Sequence, residues 1–587
     1  MAWFKGTATD YHDFLDKLNI LAQDDHISAL AIYDGGTGYS VGDTITLAGG
    51  TKNHEPEVEV RGVSSGDYAT VATVAAGGTG YVIGDKIYLA SGTYIVPPEL
   101  EVLTVSGTTV LTVQINNPGI SSSNPGNPVA TTTDGSGVNL TLNMTWTSGT
   151  GIITDAVIND AGVYTAQASN PVSQNTSSGS GTGAKFTVTY TDTAWETKIN
   201  YEAKEATGVA ISVAGTGYAQ DDKVTIVGGT ATTATVVNID SVSGGVPQTV
   251  SIYSAGEYSS TPSNPASTSG GSGSGLTLTM TWTDTTNERK YLMLHNTNSD
   301  QYVGFKGYKV TSPETAYLIQ ATGFTGFNSL STPWDEQPGS SVADPDNSGT
   351  WVPLSGGVSP TTVYYWISIQ DERMVAAFKV ASVYPNMYVG AIDPFLTASE
   401  YAYPQLVMGC IAKESPYTYG GVDFAGMNNP GAYAAGSSAY PGPAWLRSPD
   451  GSFKQVLNFY VNVGSPLYWT GGLGVTPAGH TDNSAPAAPN AWYSTQIDWR
   501  DMFTQTISIL AGQKELKRVN DEFVIIPCII ASNAERKQYG SMRGVFCIKP
   551  DGVINAEDRI WINGEAYRAF QNCSKSNRNY FFVLKEY

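Results

Sequence analysis

A glycine-rich element occurs three times in the first half of this 587-residue chain, and nothing else in the sequence restricts the fold as much. Gly35-Gly36-Thr37-Gly38-Tyr39, followed by Gly42-Asp43 and Ile45-Thr46-Leu47, returns as Gly77-Gly78-Thr79-Gly80-Tyr81, Gly84-Asp85 and Ile87-Tyr88-Leu89. A third copy reads Gly215-Thr216-Gly217-Tyr218, Asp221-Asp222 and Val224-Thr225-Ile226. A second unit alternates with it. One copy runs Ser123-Asn124-Pro125, Gly135-Ser136-Gly137, Leu140 to Trp146; another runs Tyr258, Ser263-Asn264-Pro265, Gly273-Ser274-Gly275, Leu276 to Trp282. A divergent copy leads from Tyr164 through Ser169-Asn170-Pro171 to Phe186–Tyr190. The interval from Trp146 to Trp282 nearly equals that from Tyr81 to Tyr218, so a large block was duplicated. Glycine-rich turns tolerate positive φ. The alternating runs between them read as half-buried strands, so each unit is expected to be a small β module with one apolar face.

The remaining elements extend a mainly β reading. Tyr11, Phe14, Leu15, Leu18, Leu21 and Ala22 fall at helical spacing after Thr9-Asp10, and Asp10 is placed to cap the first turn. This helix must bury its stripe, either on the first β domain or as an anchor in a neighbouring subunit through Tyr11, Phe14, Leu15, Leu18 and Leu21. Beyond about Asn287 the repeats stop. Val363–Ile369 and Met374–Val380 read as two strands around a polar turn. Ile560–Ile562 and Ala566–Phe570 flank Asn563-Gly564, a strong hairpin signal, with Tyr580–Leu584 as a further strand. Residues 337–361 and 464–490 read as long loops. The expected division is a helix or anchor at 1–28, a β repeat pair at 29–103, Ser-Asn-Pro/Gly-Ser-Gly modules at 104–200 and a duplicated module at 201–286. An aromatic-rich, β-sandwich-like body with a C-terminal hairpin follows at 287–587.

Composition limits the function classes. Charged residues are 14% of the chain and aromatics 11%, which excludes disorder as the main state; no Gly-X-Y period supports collagen. The net charge of −21 argues against a whole-chain nucleic-acid or anionic-membrane binder. Between Arg61 and Lys198 the only cations are Lys86 and Lys185, whereas from Lys514 onward twelve Lys/Arg meet nine Asp/Glu. That segment reads as a mixed-charge surface or, more sharply, as a docking face for an acidic neighbour. The start carries no apolar signal-peptide core, no stretch approaches 18 continuous apolar residues, and Cys410, Cys528, Cys547 and Cys573 form neither CxxC nor a disulfide framework. Folding in a cytoplasm is the expectation.

Catalytic patterns are scarce. In the glycine element the glycines precede a strand and no G-K-[ST] follows, which argues against a phosphate loop. A calcium β-roll would need an Asp where Ser40 and Val82 stand. His12, His26, His54, His295 and His480 are the only histidines, with no H-E-x-x-H among them. Asp371-Glu372 reads as a solvated corner. Asp498 and Asp501 around Trp499-Arg500 pair carboxylates beside an aromatic, which suits glycoside hydrolysis. The expectation is no catalytic, cofactor or metal residues. Tyr417, Tyr419, Tyr433, Tyr440, Trp445, Tyr468 and Trp469, set among Gly, Pro and Ala, form the binding or interface candidate.

Gly6-Thr7-Ala8-Thr9-Asp10-Tyr11 with Asp13, Leu15, Lys17 and Leu18, the alternating modules, Tyr365-Trp366 through Tyr388-Val389-Gly390 to Tyr403-Pro404, and Ile562-Asn563-Gly564-Glu565-Ala566-Tyr567 together resemble virion structural proteins of tailed bacteriophages. Tyr403-Pro404-Gln405-Leu406 stands where Tyr-Pro-x-Pro is expected in that class. The resemblance implies a tail- or baseplate-associated structural component of the virion, assembled in the host cytoplasm as a symmetric homo-oligomer with other virion proteins. It implies no enzyme activity and no cofactor. The alternative from another class is a tail fibre or spike that binds a host-surface glycan. A depolymerase ranks below both, since the repeats are too long to be single β-helix coils.

Overall fold

The computed structural model describes residues 2–408 apart from 286–287, 311–315, 341–349, 357–361, 371, 380–383 and 385, and thereafter 444–455, 459–462, 523, 525–532, 537–548, 553–571 and 581–586. The protein is mainly β, with 66% of the described residues in strands and 3% helical. It divides into two compact units. One comprises Ala2–Phe4 and Asp24–Thr193; the other comprises Lys5–Gln23 and everything from Ala194 onward.

In the first unit the two alternating sequence units are two halves of one module. Strand Asp25–Thr37, which leads into the first glycine turn, pairs with Thr182–Asp192; Thr44–Leu47 pairs with Val172–Ser177. Likewise Glu57–Thr79 pairs with Val138–Asp160, and Lys86–Leu89 with Val129–Thr133. Half a module satisfies only half of its ladder hydrogen bonds, so neither half is a module alone.

The pairing also nests one module inside another. In the inner module, residues 66–149, the hairpin Glu99–Ser106/Thr109–Asn117 carries ladder pairs Val102↔Val113, Thr104↔Thr112 and Val105↔Val110. The outer module repeats them as Val60↔Ala156, Gly62↔Asp155 and Val63↔Ile153. Where the inner hairpin closes in a short turn, the outer ribbon runs on through Gly66↔Gly149 into the inner module. The outer module is thus built from two distant stretches, up to Ser64 and again from Ile152, because a whole module occupies the tip of its hairpin.

A third module, in the second unit, reproduces the inner one. Lys204–Thr216 pairs with Ser274–Asp284, and its hairpin shows Ile239↔Val250, Ser241↔Thr249 and Val242↔Pro247. The cores correspond side chain for side chain. Tyr81, Ile87, Leu100, Val102, Leu140, Leu142 and Met144 of the inner module answer to Tyr218, Val224, Val237, Ile239, Leu276, Leu278 and Met280.

Identical polar devices hold all three. An asparagine bonds both backbone groups of one residue in the long strand: Asn127 with Met144, Asn170 with Val188 and Asn264 with Met280, each at 2.7–2.9 Å. The equivalent of Asn264-Pro265 is therefore Asn127-Pro128 and not the Asn124-Pro125 pair that the sequence motif aligns. Asn124 instead bonds Asp67. Substituting any of the three with alanine leaves an amide N–H and a carbonyl short of a partner, about 1–3 kcal/mol. Hydrogen exchange on the paired strand is expected to report a similar loss for Asn127→Ala, Asn170→Ala and Asn264→Ala; a loss confined to one would contradict their equivalence.

In the second unit, helix Tyr11–Leu21 is capped by Asp10, whose carboxylate accepts from Asp13 N–H. Its stripe is buried against strands Lys290–Asn296, Gln301–Val310 and Ala316–Phe324, with Phe14 edge-on to Tyr365 and Phe378 at 5.5 and 4.8 Å. These strands belong to a five-stranded antiparallel sheet completed by Trp195–Glu202 and Thr350–Gly356. The latter strand lies inside the stretch expected to be loop, because it completes the edge beside Ala316–Phe324. Residues 464–490 lie outside the described residues. Val363–Gln370 pairs with Arg373–Lys379, and Arg559–Ile562 pairs with Glu565–Gln571 around Asn563 (φ 52°) and Gly564 (φ 80°), the two positive φ values of an Asn-Gly hairpin turn. Phe581–Lys585 adds to that hairpin.

Candidate functional site

Those residues singled out by the sequence for chemistry or binding that lie among the described residues are mostly engaged in holding the fold. The Gly-Asp element is the clearest case. Asp43 accepts from Ser40 N–H, Asp85 from Val82 N–H and Asp222 from Ala219 N–H, at 2.9–3.0 Å. Asp222 also accepts from Ser272, whose hydroxyl and N–H hold its carboxyl below the usual range. Each aspartate closes its own turn, as side chains of this type do. Among the described residues no group of three or more His, Cys, Asp or Glu is placed to hold a metal.

The histidines are scattered. His12 lies 2.9 Å from the Glu288 carbonyl and 3.2 Å from the Glu202 carboxylate, His54 pairs with Asp160 at 2.9 Å, and His295 with Asp300 at 3.1 Å. His26 is buried edge-on to Phe4, neither ring nitrogen has a hydrogen-bond partner, and burial pushes its imidazole down to about 4. A folded value below the unfolded one makes the neutral ring a source of stability above pH 6.5 that is lost as pH falls towards 4. The loss at pH 4 is about 3 kcal/mol. Denaturant melts of His26→Leu are expected to depend less on pH across that window than those of the parent chain. His480 lies outside the described residues.

Of the aromatic candidates, Tyr417, Tyr419, Tyr433, Tyr440, Tyr468 and Trp469 lie outside the described residues. Trp445 is described: it sits half-buried on strand Ala444–Arg447 opposite Val407, with its indole N–H buried and unpaired. Two residues on, Arg447 stacks 4.2 Å from the exposed Tyr403 ring and donates to Gly451 O at 3.0 Å. The anchor residues Tyr11, Phe14, Leu15, Leu18 and Leu21 are all covered within the chain, so the helix has no free apolar stripe to insert into a neighbour. Its partners are strands far along the sequence, in the second unit, and not the first β domain; a local pattern carries no trace of so distant a contact.

Of the carboxylate candidates only Glu372 is among the described residues. Asp371, Asp498 and Asp501 lie outside the described residues. Glu372 is no solvated corner: it accepts from Arg543 at 2.9 Å, and Arg543 also reaches Asp393 at 2.7 Å. In the basic C-terminal segment the described cations Arg543, Arg559, Arg568 and Lys585 pair internally, whereas Lys514, Lys517, Arg518, Arg536, Lys549, Lys575 and Arg578 lie outside the described residues. Arg559 and Arg568 converge on Glu586, which is fully buried; Arg568 further donates to Glu557 O, and Lys585 pairs with Glu565.

Sequence reasoning missed Arg373, which is wholly buried, donates to Ser368 O at 2.8 Å and keeps Nε and Nη2 unpaired; burial pushes it down to about 10. Arg373 opens its strand opposite Gln370, beside Asp371-Glu372, so in the sequence it reads as the end of a polar turn. The first unit holds a small cleft of about 120 Å³ between outer and inner modules, lined by Ile32, Val96, Ile120, Ile152 and Ile153. No helix among the described residues is long and apolar enough to cross a membrane. No protein-family model matches the chain, and no curated protein sequence matches it.

Proposed function

We propose that this chain is a structural component of a tailed-bacteriophage virion, associated with the tail or baseplate, and that it acts by assembly. The observation that carries the reading is the use of one β module three times, once nested in another, with the same asparagine clamp, aspartate-closed turn and tyrosine-filled core in each. Repetition of a rigid module with Thr- and Ser-covered strands serves shape and contact area, on which symmetric assemblies depend. The proposal includes a homo-oligomeric state and contacts with other virion proteins. In a phage whose copy of the gene is silenced, infected cells are expected to yield particles that are incomplete at the tail end. Normal infectious particles formed without the chain would overturn the reading.

A second reading has one observation in its favour. Tyr403, Arg447 and Trp445 bring together an exposed ring, a stacked guanidinium and a half-buried indole, a combination that suits a sugar. A tail fibre or spike would bind host-surface polysaccharide through it. Binding by the purified chain, lost in Tyr403→Ala and Trp445→Ala, is the expected result under that reading; undetectable binding of host polysaccharide would remove it.

A further inference from the structure

Because the three modules share one ladder register, each surface position of the inner module has two internal controls. Seven of its exposed positions are large and apolar, and four of these belong to one hairpin and the turn fastened to it: Val82 (60% exposed), Ile83 (64%), Leu103 (47%) and Leu111 (55%). The matching outer residues are Ser40, Val41, Arg61 and Thr154, and those of the third module are Ala219, Gln220, Asp240 and Gln248. Seven of those eight are polar or small, so the scaffold itself does not require apolar side chains there.

The four lie together. Leu103 and Leu111 are the extra, bulged residues either side of the Thr104–Thr112 pair. The turn carrying Val82 and Ile83 is fastened to the same hairpin by Tyr81 N–H to Thr108 O at 3.1 Å and Gly84 N–H to Val102 O at 2.9 Å. Exposed apolar residues gathered in one place mark a surface that is covered in use.

The charge around the patch selects what covers it. Residues 66–149 carry one cation, Lys86, against Asp67, Asp85, Glu99, Glu101 and Asp134, a net −4, and Lys86 is already paired with Glu99 at 3.0 Å. The outer module (24–64 and 150–193) has three Lys/Arg against ten Asp/Glu, net −7, and the third (204–284) two against six, net −4. A module of a second copy would bring like charge to the patch. We infer that Val82, Ile83, Leu103 and Leu111 form a docking surface on the inner module for a different protein, one whose contact face combines apolar side chains with lysine or arginine.

A photo-crosslinking amino acid in place of Ile83, in the cells that naturally make the chain, tests this. The expected result is one dominant product with a different polypeptide, whose cross-linked segment is apolar and net basic, and no such product from the same probe in place of Gln220. Giving the remaining patch residues the identities found in the third module (Val82→Ala, Leu103→Asp, Leu111→Gln) is expected to cut the yield at least about tenfold. The melting temperature should hardly change, since the same scaffold carries those residues elsewhere. A product of twice the chain's mass, an acidic cross-linked segment, or a yield no higher than the Gln220 control would overturn the inference. The inference is separable from the virion reading: absence of the chain from particles sinks that reading, whereas absence of the cross-link sinks the patch.

Discussion

Replacing Gly273 with alanine is expected to destabilise the third module by about 3 kcal/mol or more, the upper range for forcing atoms into a packed core. The added Cβ would overlap Cδ2 of Tyr218 and fall 2.5 Å from its Cγ and 2.6 Å from the Thr216 carbonyl oxygen. Neither obstacle yields: Tyr218 is 5% exposed in the centre of the module's core, and the carbonyl is strand backbone. The same cradle recurs, with Gly137 against Tyr81 and Gly181 against Tyr39, so Gly137→Ala and Gly181→Ala should behave alike. Gly244→Ala is the contrast. There φ is +58° and nothing lies within 4 Å of the new atom, so the cost is backbone strain alone, about 1–2 kcal/mol. Hydrogen exchange resolved by module separates these effects. Tyr218→Ala combined with Gly273→Ala should cost less than the sum of the two, because the clash with the ring is gone and only that with the Thr216 carbonyl remains.

Glu586→Gln is expected to be the most damaging change in the C-terminal strands. The carboxylate is fully buried and accepts from both Arg559 and Arg568, whose side chains are 9% and 16% exposed. The amide keeps the volume but leaves two guanidinium groups without their counter-charge, a loss of about 3–5 kcal/mol for a broken buried pair. Lys585→Ala, which removes a pair with the half-exposed Glu565, should cost under about 1 kcal/mol. Denaturant unfolding of the two variants, followed at the C-terminal strands, should therefore differ by several-fold in effect. High salt should weaken the Lys585 pair and leave the Glu586 pair nearly unchanged.

Local features of the fold were legible because their causes are local. The helix stripe, its Asp10 cap, the Asn-Gly turn and the alternating strands each depend on residues within a few positions of one another. The repeats were legible too, but not their partners. Thr79 meets Val138 and Thr216 meets Ser274, whereas the glycine turn of the outer module, at Thr37, meets Thr182, much farther along the chain. Only the ladder register reveals that the outer module is interrupted. The Asn-Pro register slipped because Asn124-Pro125 and Asn127-Pro128 look equivalent as text, and only the bonds to Met144 distinguish them.

Site chemistry was less legible for a physical reason. The same Asp, His and Arg side chains that suit catalysis also suit closing turns and pairing buried charges, and the sequence does not say which neighbour each will meet. Asp43, Asp85 and Asp222 close turns; Glu586 gathers two arginines. Trp445 is the one aromatic candidate whose surroundings are described, and its neighbours come from strand pairing, while the Tyr403 ring reaches Arg447 from a distant part of the sequence.

The proposal that the chain works by assembly meets its most direct test in purified particles of a tailed phage that carries its gene. Quantitative peptide mass spectrometry, with peptides from residues 66–149 and 204–284 as independent reporters, should give one fixed copy number per particle, greater than one and the same from both regions. Trace amounts that fall further with each purification step would contradict it.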